Sequence, residues 1–275
     1  MKAPALKSFF GSLAGFLPAP LRETLGQWLL RSVHEPDFLL FKEVADLPGL
    51  VLDVGANRGH AAVSVLRRTR RMRVLSLEPN PAMRPPLMLL CLLHPWRFRF
   101  RLMGAGYETG EQELLVPLGS RDLSSQASMD PAEFKKDYVK DRLAADGHGG
   151  GHEEFVRRRV RVVRVDDLRL QPDVIKLDVE GWEAQAIEGM QTTLAVSKPV
   201  LIIEINNSAR WAPALASLGY RFYSCENLKL LRHEDWAMVP GLNMICCHPK
   251  SASPISRRIL ALASVAGHEG AASGP

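Results

Sequence analysis

From residue 50 onward, short apolar runs alternate with longer segments whose apolar residues recur every three or four positions. The short runs, rich in β-branched and aromatic residues, predict strands at 50–54, 73–77, 97–103, 173–177, 200–205, 220–223 and 243–247. The periodic segments predict helices at 60–70, 81–93, 181–195 and 209–218. Strand and helix in turn make βαβ units and a mostly parallel sheet. The runs at 174–177 and 200–205 are almost continuously apolar, as in strands covered on both faces. The expected fold class is therefore α/β, a Rossmann-like doubly wound sheet filling residues 46–250. Residues 1–45 read as an amphipathic helical extension punctuated by Pro18, Pro20 and Pro36, and residues 251–275, rich in Ala, Ser and Gly, as a frayed tail. The stretch 104–169 is irregular, with a strand candidate at 114–116 and a Gly/His-rich insert at 147–152. No internal repeat is present.

Composition narrows this little. With 46% hydrophobic and 24% charged residues the chain is globular, not fibrous or wholly disordered. No apolar run approaches the ~20 residues of a membrane span. The stretch around Phe9–Leu17 imitates a signal peptide but is short and followed by prolines. A soluble, cytoplasmic chain is expected, with Cys91, Cys225, Cys246 and Cys247 reduced, since none forms a CxxC pair. The net charge of +5 comes from arginine clusters at 67–73, 97–101 and 157–164. A nucleic-acid face is one reading. Solvated outer faces and edge strands are the other, and it is preferred, because Arg97-Phe98-Arg99-Phe100-Arg101 alternates like a strand with one wet face.

Candidate chemistry begins after the first strand. Val51-Leu52-Asp53-Val54-Gly55-Ala56-Asn57-Arg58-Gly59 runs from a buried strand straight into a helix. Glycines there permit a tight turn and close approach to a ligand. The spacing is not the GxGxxG of dinucleotide folds, and no phosphate-cradling lysine follows. Asp53 closes the strand at the end where open α/β sheets bind ligands. A carboxylate aimed into that crevice is a poor neighbour for a pyrophosphate. It suits a ligand that is cationic there, such as the ammonium and sulfonium of S-adenosylmethionine. Glu78, behind the second strand and ahead of Pro79, is placed to accept hydrogen bonds from both hydroxyls of a ribose.

A second acidic cluster lies in Ile175-Lys176-Leu177-Asp178-Val179-Glu180-Gly181-Trp182-Glu183. Asp178 is expected to face the same crevice. Two carboxylates at adjacent strand ends repel unless a cation or proton lies between them, which again favours a cationic ligand. Glu183, and in part Glu180, read as complements to a helix macrodipole. Glu204 ends the next apolar run, either orienting substrate and accepting a proton or pairing with an arginine. His34, His94 and His233 read as surface or interface residues, and His60 as packing or touching a cofactor. His148 and His152 have metal-ligand spacing, but their glycine-rich setting argues for a mobile loop, so no metal is expected.

Asp53-Val54-Gly55-Ala56-Asn57 with Gly59, Glu78-Pro79-Asn80, the 175–183 block and Lys198-Pro199 ahead of the Glu204 strand resemble the FkbM-type family of S-adenosylmethionine-dependent methyltransferases. The resemblance implies a seven-stranded sheet with an antiparallel last strand and O-methylation of a hydroxyl on a sugar, polyketide or related small molecule. It also implies that Asp53, Gly55, Ala56 and Asn57 hold the methionine part and Glu78 the ribose, with Gly59 also in the cofactor-binding set, and that Asp178 lies near the methionine end or the transferring methyl. An alcohol must lose its proton, and Asp178 and Glu204 are the candidate bases. Competing readings are an NAD- or nucleotide-sugar-binding oxidoreductase and a basic RNA-binding module. The oligomeric state has no signal in the sequence.

Overall fold

The computed structural model describes Gly26 and residues 34–117, 127–132, 134 and 155–264. The expected helical extension before residue 34 and the 147–152 insert with His148 and His152 lie outside the described residues, Gly26 excepted. In chain order the strands are β1 (Gly49–Val54), β2 (Met72–Leu77), β3 (Phe98–Arg101), β4 (Gly104–Ala105), β5 (Gly110–Pro117), β6 (Phe155–Val163), β7 (Val174–Leu177), β8 (Val200–Glu204), β9 (Arg221–Glu226), β10 (Lys229–His233), β11 (Asn243–Cys247) and β12 (Ala263–Ser264). The α-helices are α1 (His60–Arg68), α2 (Arg84–Leu93), α3 (Glu183–Glu188), α4 (Gln191–Ser197), α5 (Ala212–Ser217) and α6 (Pro254–Leu260). Pro36–Val44 is a 3-10 turn rather than an α-helix.

The main sheet runs β12-β10-β9-β11-β8-β7-β1-β2-β3. Its centre, β3 to β8, is parallel, and β11 inserts antiparallel between β8 and β9. The order reverses at β1, so the carboxyl ends of β1 and β7 flank the switch point where such sheets bind ligands. Alternation along the strands feeds two cores. Val51, Val74, Val174 and Ile202 pack with α1, α2 and the 3-10 turn, whereas Leu52, Val54, Ile175, Leu177 and Ile203 pack with α3, α4 and α5. Burial on both faces is why these strands read as unbroken apolar runs.

Several expectations change. The sheet has nine strands, not seven, among the described residues. The extra β10 joins β9 through a two-residue turn with Asn227 at φ 48° and Leu228 at φ 66°. Both residues are left-handed, as a type I′ hairpin demands, yet no glycine advertises it. The 114–116 run belongs to a separate sheet of order β4-β6-β5. The supposed fray after Ser251 is ordered as far as Ser264. Ser253 caps α6, accepting from the Ser256 amide at 3.4 Å and donating to Asp173 Oδ1 at 2.6 Å, and Ile255 and Ile259 enter the core.

The single helix expected over 181–195 is two, parted at Gly189. A Cβ there would overlap the Gly106 carbonyl oxygen. The Asp166 carboxylate accepts from the amides of Thr192 at 3.1 Å and Thr193 at 2.8 Å, capping α4 from outside. Gly189→Ala is expected to cost roughly 1–3 kcal/mol by overpacking against backbone, checked by urea unfolding.

Two members of the arginine clusters have structural partners. Arg97 donates to the carbonyls of Met72 at 2.9 Å and Leu66 at 3.2 Å and to Thr69 Oγ1 at 3.0 Å. β3 forms one edge of the main sheet, with Arg99 and Arg101 turned to solvent. On β6, Arg157 pairs with Glu113 of β5 at 2.8 Å.

Candidate functional site

Register builds the floor of the site. Asp53 pairs with Ser76 on one side and with Lys176 on the other, so the three side chains share one face of adjacent strands. Ser76 Oγ donates to Asp53 Oδ2 at 2.7 Å. Lys176 Nζ donates to Asp178 Oδ2 at 2.9 Å and to the Gly55 carbonyl at 2.9 Å, and stands 4.0 Å from Asp53 Oδ1.

Two expectations fall here. Asp53 is not aimed into the crevice: it is 1% exposed and lines neither cleft described below. Nor does the closeness of Asp53 and Asp178 call for a cationic ligand, because the cation between them is the chain's own Lys176. Burial, the largest single influence, pulls the Lys176 ammonium down, but the charges of Asp178 and then Asp53 outweigh it and hold it above its ordinary value. For Asp178 burial pushes up, and the Lys176 charge and hydrogen bond, helped by Glu204, win and lower it. Asp53 is held less closely, so burial prevails over Lys176 and Ser76 and raises it.

Above this floor the glycine loop presses against the 178–183 turn. Gly55 sits at φ 81°, and a Cβ there would overlap the Asp178 carbonyl oxygen. Gly59, also left-handed, abuts Leu90 of α2 and lines neither cleft; it supports α1 rather than a ligand. Glu183 is fully buried and accepts from the amides of Val179 and Gly181, both at 3.2 Å. Beyond complementing a helix dipole, it ties the turn that carries Asp178 and Glu180.

Two clefts meet over the loop. The first is lined by Glu78 together with the apolar side chains of Pro79, Met83, Leu114, Ala127 and Met129. Glu78 is 6% exposed; its Oε2 accepts from the Asn57 amide and its Oε1 from the Asn80 amide, each at 2.7 Å. Burial pushes its carboxyl up to about 7 against those two amides. A carboxylate has about four lone-pair sites, so two remain for hydroxyls.

The second cleft, about 810 Å³, is polar, lined by His34, Glu35, Ala56, Arg58, His60, Lys176 and Glu204; both clefts share Gly55, Asn57, Asp178 and Glu180. Glu204 is pushed up to about 10, by burial first and then by the charges of Asp178 and Glu180. Burial and the neighbouring carboxylates thus favour its protonated form in the free site, which counts against it as a base. His60, lowered to about 4 by burial and by nearby positive charge, is uncharged at neutral pH. No His/Cys/Asp/Glu group able to hold a metal is found among the described residues, nor any helix long and apolar enough to cross a membrane.

The structure thus places Gly55, Ala56, Asn57, Glu78, Asp178 and Glu204 on the walls of the two adjoining clefts. Lys176 and Glu35 were missed in the sequence, and His34 is in the polar cleft rather than at the surface. Lys176 had a signal: a charged residue at an inward position of a buried strand. His34 had none, because the chain enters the site there from outside the sheet.

An FkbM methyltransferase from Methylobacillus flagellatus KT superposes with a TM-score of 0.46 at 17% identity, covering 87% of this chain and 58% of that one. This chain therefore spans little more than half its length. A precorrin-6y C5,15-methyltransferase from Geobacter metallireducens GS-15 gives 0.41 at 12% identity, covering 76% and 84% of the two chains. An rRNA methylase from Streptococcus thermophilus gives 0.39 at 11%, covering 79% and 98%. No curated protein matches the sequence. The model of the methyltransferase FkbM domain matches residues 53–222, from Asp53 on the site floor to the strand beyond Glu204. With more than half of its length so matched, the chain belongs to the FkbM methyltransferase family.

Proposed function

We propose that this methyltransferase uses S-adenosylmethionine to methylate a hydroxyl of a small, polar molecule. The observation that carries the reading is the pairing of unlike clefts across one glycine loop: an apolar-lined cleft with a carboxylate, then a polar one. The first cleft fits an adenosine. Glu78 has acceptor capacity left for the ribose diol, and the thioethers of Met83 and Met129 suit an aromatic base. Gly55, Ala56 and Asn57 would hold the methionine end. Asp53 acts from below, through Lys176 and Ser76, as a positioning residue for the loop. Asp178 sits where the clefts join. When bound, the donor supplies a methyl group already activated by its sulfonium; the protein has to align, exclude water and manage a proton.

The second cleft favours a hydroxyl-bearing polar acceptor. Among the described residues its wall offers cationic donors in Arg58 and Lys176 and acceptors in Glu35 and Glu180, with no Phe, Tyr or Trp for a flat apolar ring. Calorimetry with S-adenosylhomocysteine tests the donor, and methyl transfer from labelled S-adenosylmethionine to methyl glycosides and to phenols tests the acceptor. Micromolar binding and labelled glycosides are expected. Absence of binding at pH 8 rejects the donor, and labelling confined to phenols rejects the acceptor class.

A further inference from the structure

His34 and Glu35 precede the Pro36–Val44 turn, outside the family-matched residues 53–222, yet both line the polar cleft. The His34 amide donates to Ser64 Oγ of α1 at 2.8 Å, and that hydroxyl donates to the His60 carbonyl at 3.0 Å. His34 Nε2 stands 3.6 Å from Glu35 Oε1. Glu35 Oε2 accepts from Asn243 Nδ2 at 2.7 Å, and the same nitrogen donates to Asp37 Oδ2 at 2.9 Å. So Asn243 of β11, 208 residues away in sequence, holds the Glu35 carboxylate, and that carboxylate stands beside the His34 imidazole at ion-pair distance.

An imidazole in a polar cleft with a fixed carboxylate beside it can take a proton and have the resulting cation stabilised by that charge. The two carboxyl candidates are less suited: Asp178 Oδ2 is tied to Lys176, and burial with the charge of Asp178 pushes Glu204 toward its protonated form. The groups facing His34 are Glu35 on its own segment, the His60 ring at 5.8 Å with Arg58 beside it, Lys176 and Asp178 from β7, and Asp53 from β1. Glu204 of β8 and Glu180 share the cleft wall. Burial is the largest influence and, with Lys176, lowers His34, while Glu35, Asp178 and Asp53 raise it; the net fall leaves the imidazole neutral at neutral pH.

We propose that His34 is the general base for the acceptor hydroxyl, with Glu35 and Asn243 as its positioning residues. The proposal rests on the hydroxyl-methylation reading above. The acceptor proton passes to His34 as the hydroxyl oxygen bonds the methyl carbon. The carbon–sulfur bond breaks with its electron pair retained by sulfur, and the imidazolium beside Glu35 returns the proton to solvent.

Imidazole NMR of the full chain, with His34→Gln to assign the signals, gives a test independent of turnover. Glu35→Gln is expected to lower the pH at which His34 titrates by roughly one unit, since an anion within reach is lost. An unmoved titration overturns the proposal. His34→Gln should bind S-adenosylhomocysteine within about twofold of wild type. A tenfold or larger loss assigns His34 to the donor and also overturns it. On a methyl glycoside the variant should be slower by about 10²–10⁴-fold, and Glu35→Gln should move the acid limb to lower pH, because the neutral imidazole is the active form. A retained rate is equally fatal. Failure of wild type to bind S-adenosylhomocysteine strikes the donor reading instead. With no glycoside turned over, the hydroxyl reading falls, and the titration still decides whether Glu35 governs His34.

Discussion

Replacing Lys176 by methionine is expected to destabilise the protein by about 3–5 kcal/mol at pH 8, the cost of leaving a buried charge without its partner. The ammonium pairs with the Asp178 carboxylate at 2.9 Å, and it also faces Asp53 and holds the Gly55 carbonyl. Methionine fills the space and supplies none of this. The sign with pH follows from the shifts. Lys176 is raised, so its contribution is complete below its ordinary value and is lost only as pH climbs past the folded one. Asp178 is lowered, so its share is present above the ordinary carboxylate range and fades as pH falls through the folded value. In the variant both carboxyls rise and bind protons readily in the native state. The deficit is therefore largest at pH 8 and shrinks toward pH 5. Asp53→Asn in the same background removes one uncompensated charge and should restore part of the loss. Urea unfolding at the two pH values checks all three statements; equal stability of Lys176→Met and wild type at pH 8 would show the ion pair to be idle.

Removing the Glu78 carboxylate should weaken S-adenosylhomocysteine binding by about 100-fold or more, since two hydrogen bonds to a charged acceptor are worth roughly 1.5–3 kcal/mol each. Glu78→Ala also frees the Asn57 and Asn80 amides, which fasten the loop after β1 and the turn after β2. Glu78→Gln is the cleaner probe, because it keeps the shape and one acceptor oxygen. A pH profile separates ligand recognition from loop support. Burial pushes the carboxyl up to about 7 in the free site, and on the proposed reading the ribose binds its ionised form. Wild-type affinity should be full above that value and fall about tenfold for each pH unit below it. The glutamine variant should be flat across the same range. Calorimetry at pH 6, 7 and 8 decides, and a wild-type affinity that does not change with pH would remove Glu78 from the ribose.

The two experiments probe different layers of one site. Lys176 acts on the floor, where strand register sets the partners, and Glu78 on the wall, where the ligand does. That division explains a misleading inference from the sequence. Adjacent carboxylates do need a cation between them, but a strand brings its own whenever a lysine falls on the same face. Asp53 and Asp178 therefore need no cationic cofactor between them, because Lys176 stands there. The donor assignment stands on Glu78, the apolar-lined cleft and the family.

What the sequence determined by itself was whatever depends on local periodicity. The strands of the sheet centre, the loop Val54-Gly55-Ala56-Asn57 and the acidic residues at strand ends were legible, because two-sided burial and tight turns restrict residue type position by position. Only the tertiary structure decided what depends on long-range approach. The Gly106 backbone splits the expected helix at Gly189, and Asp173 holds the cap of α6 in a segment whose composition reads as frayed. Asn243 and Glu35 bring His34 to the polar cleft across 208 residues of chain. Such contacts join side chains whose neighbours in sequence carry no shared period, so nothing local records them until the chain is packed.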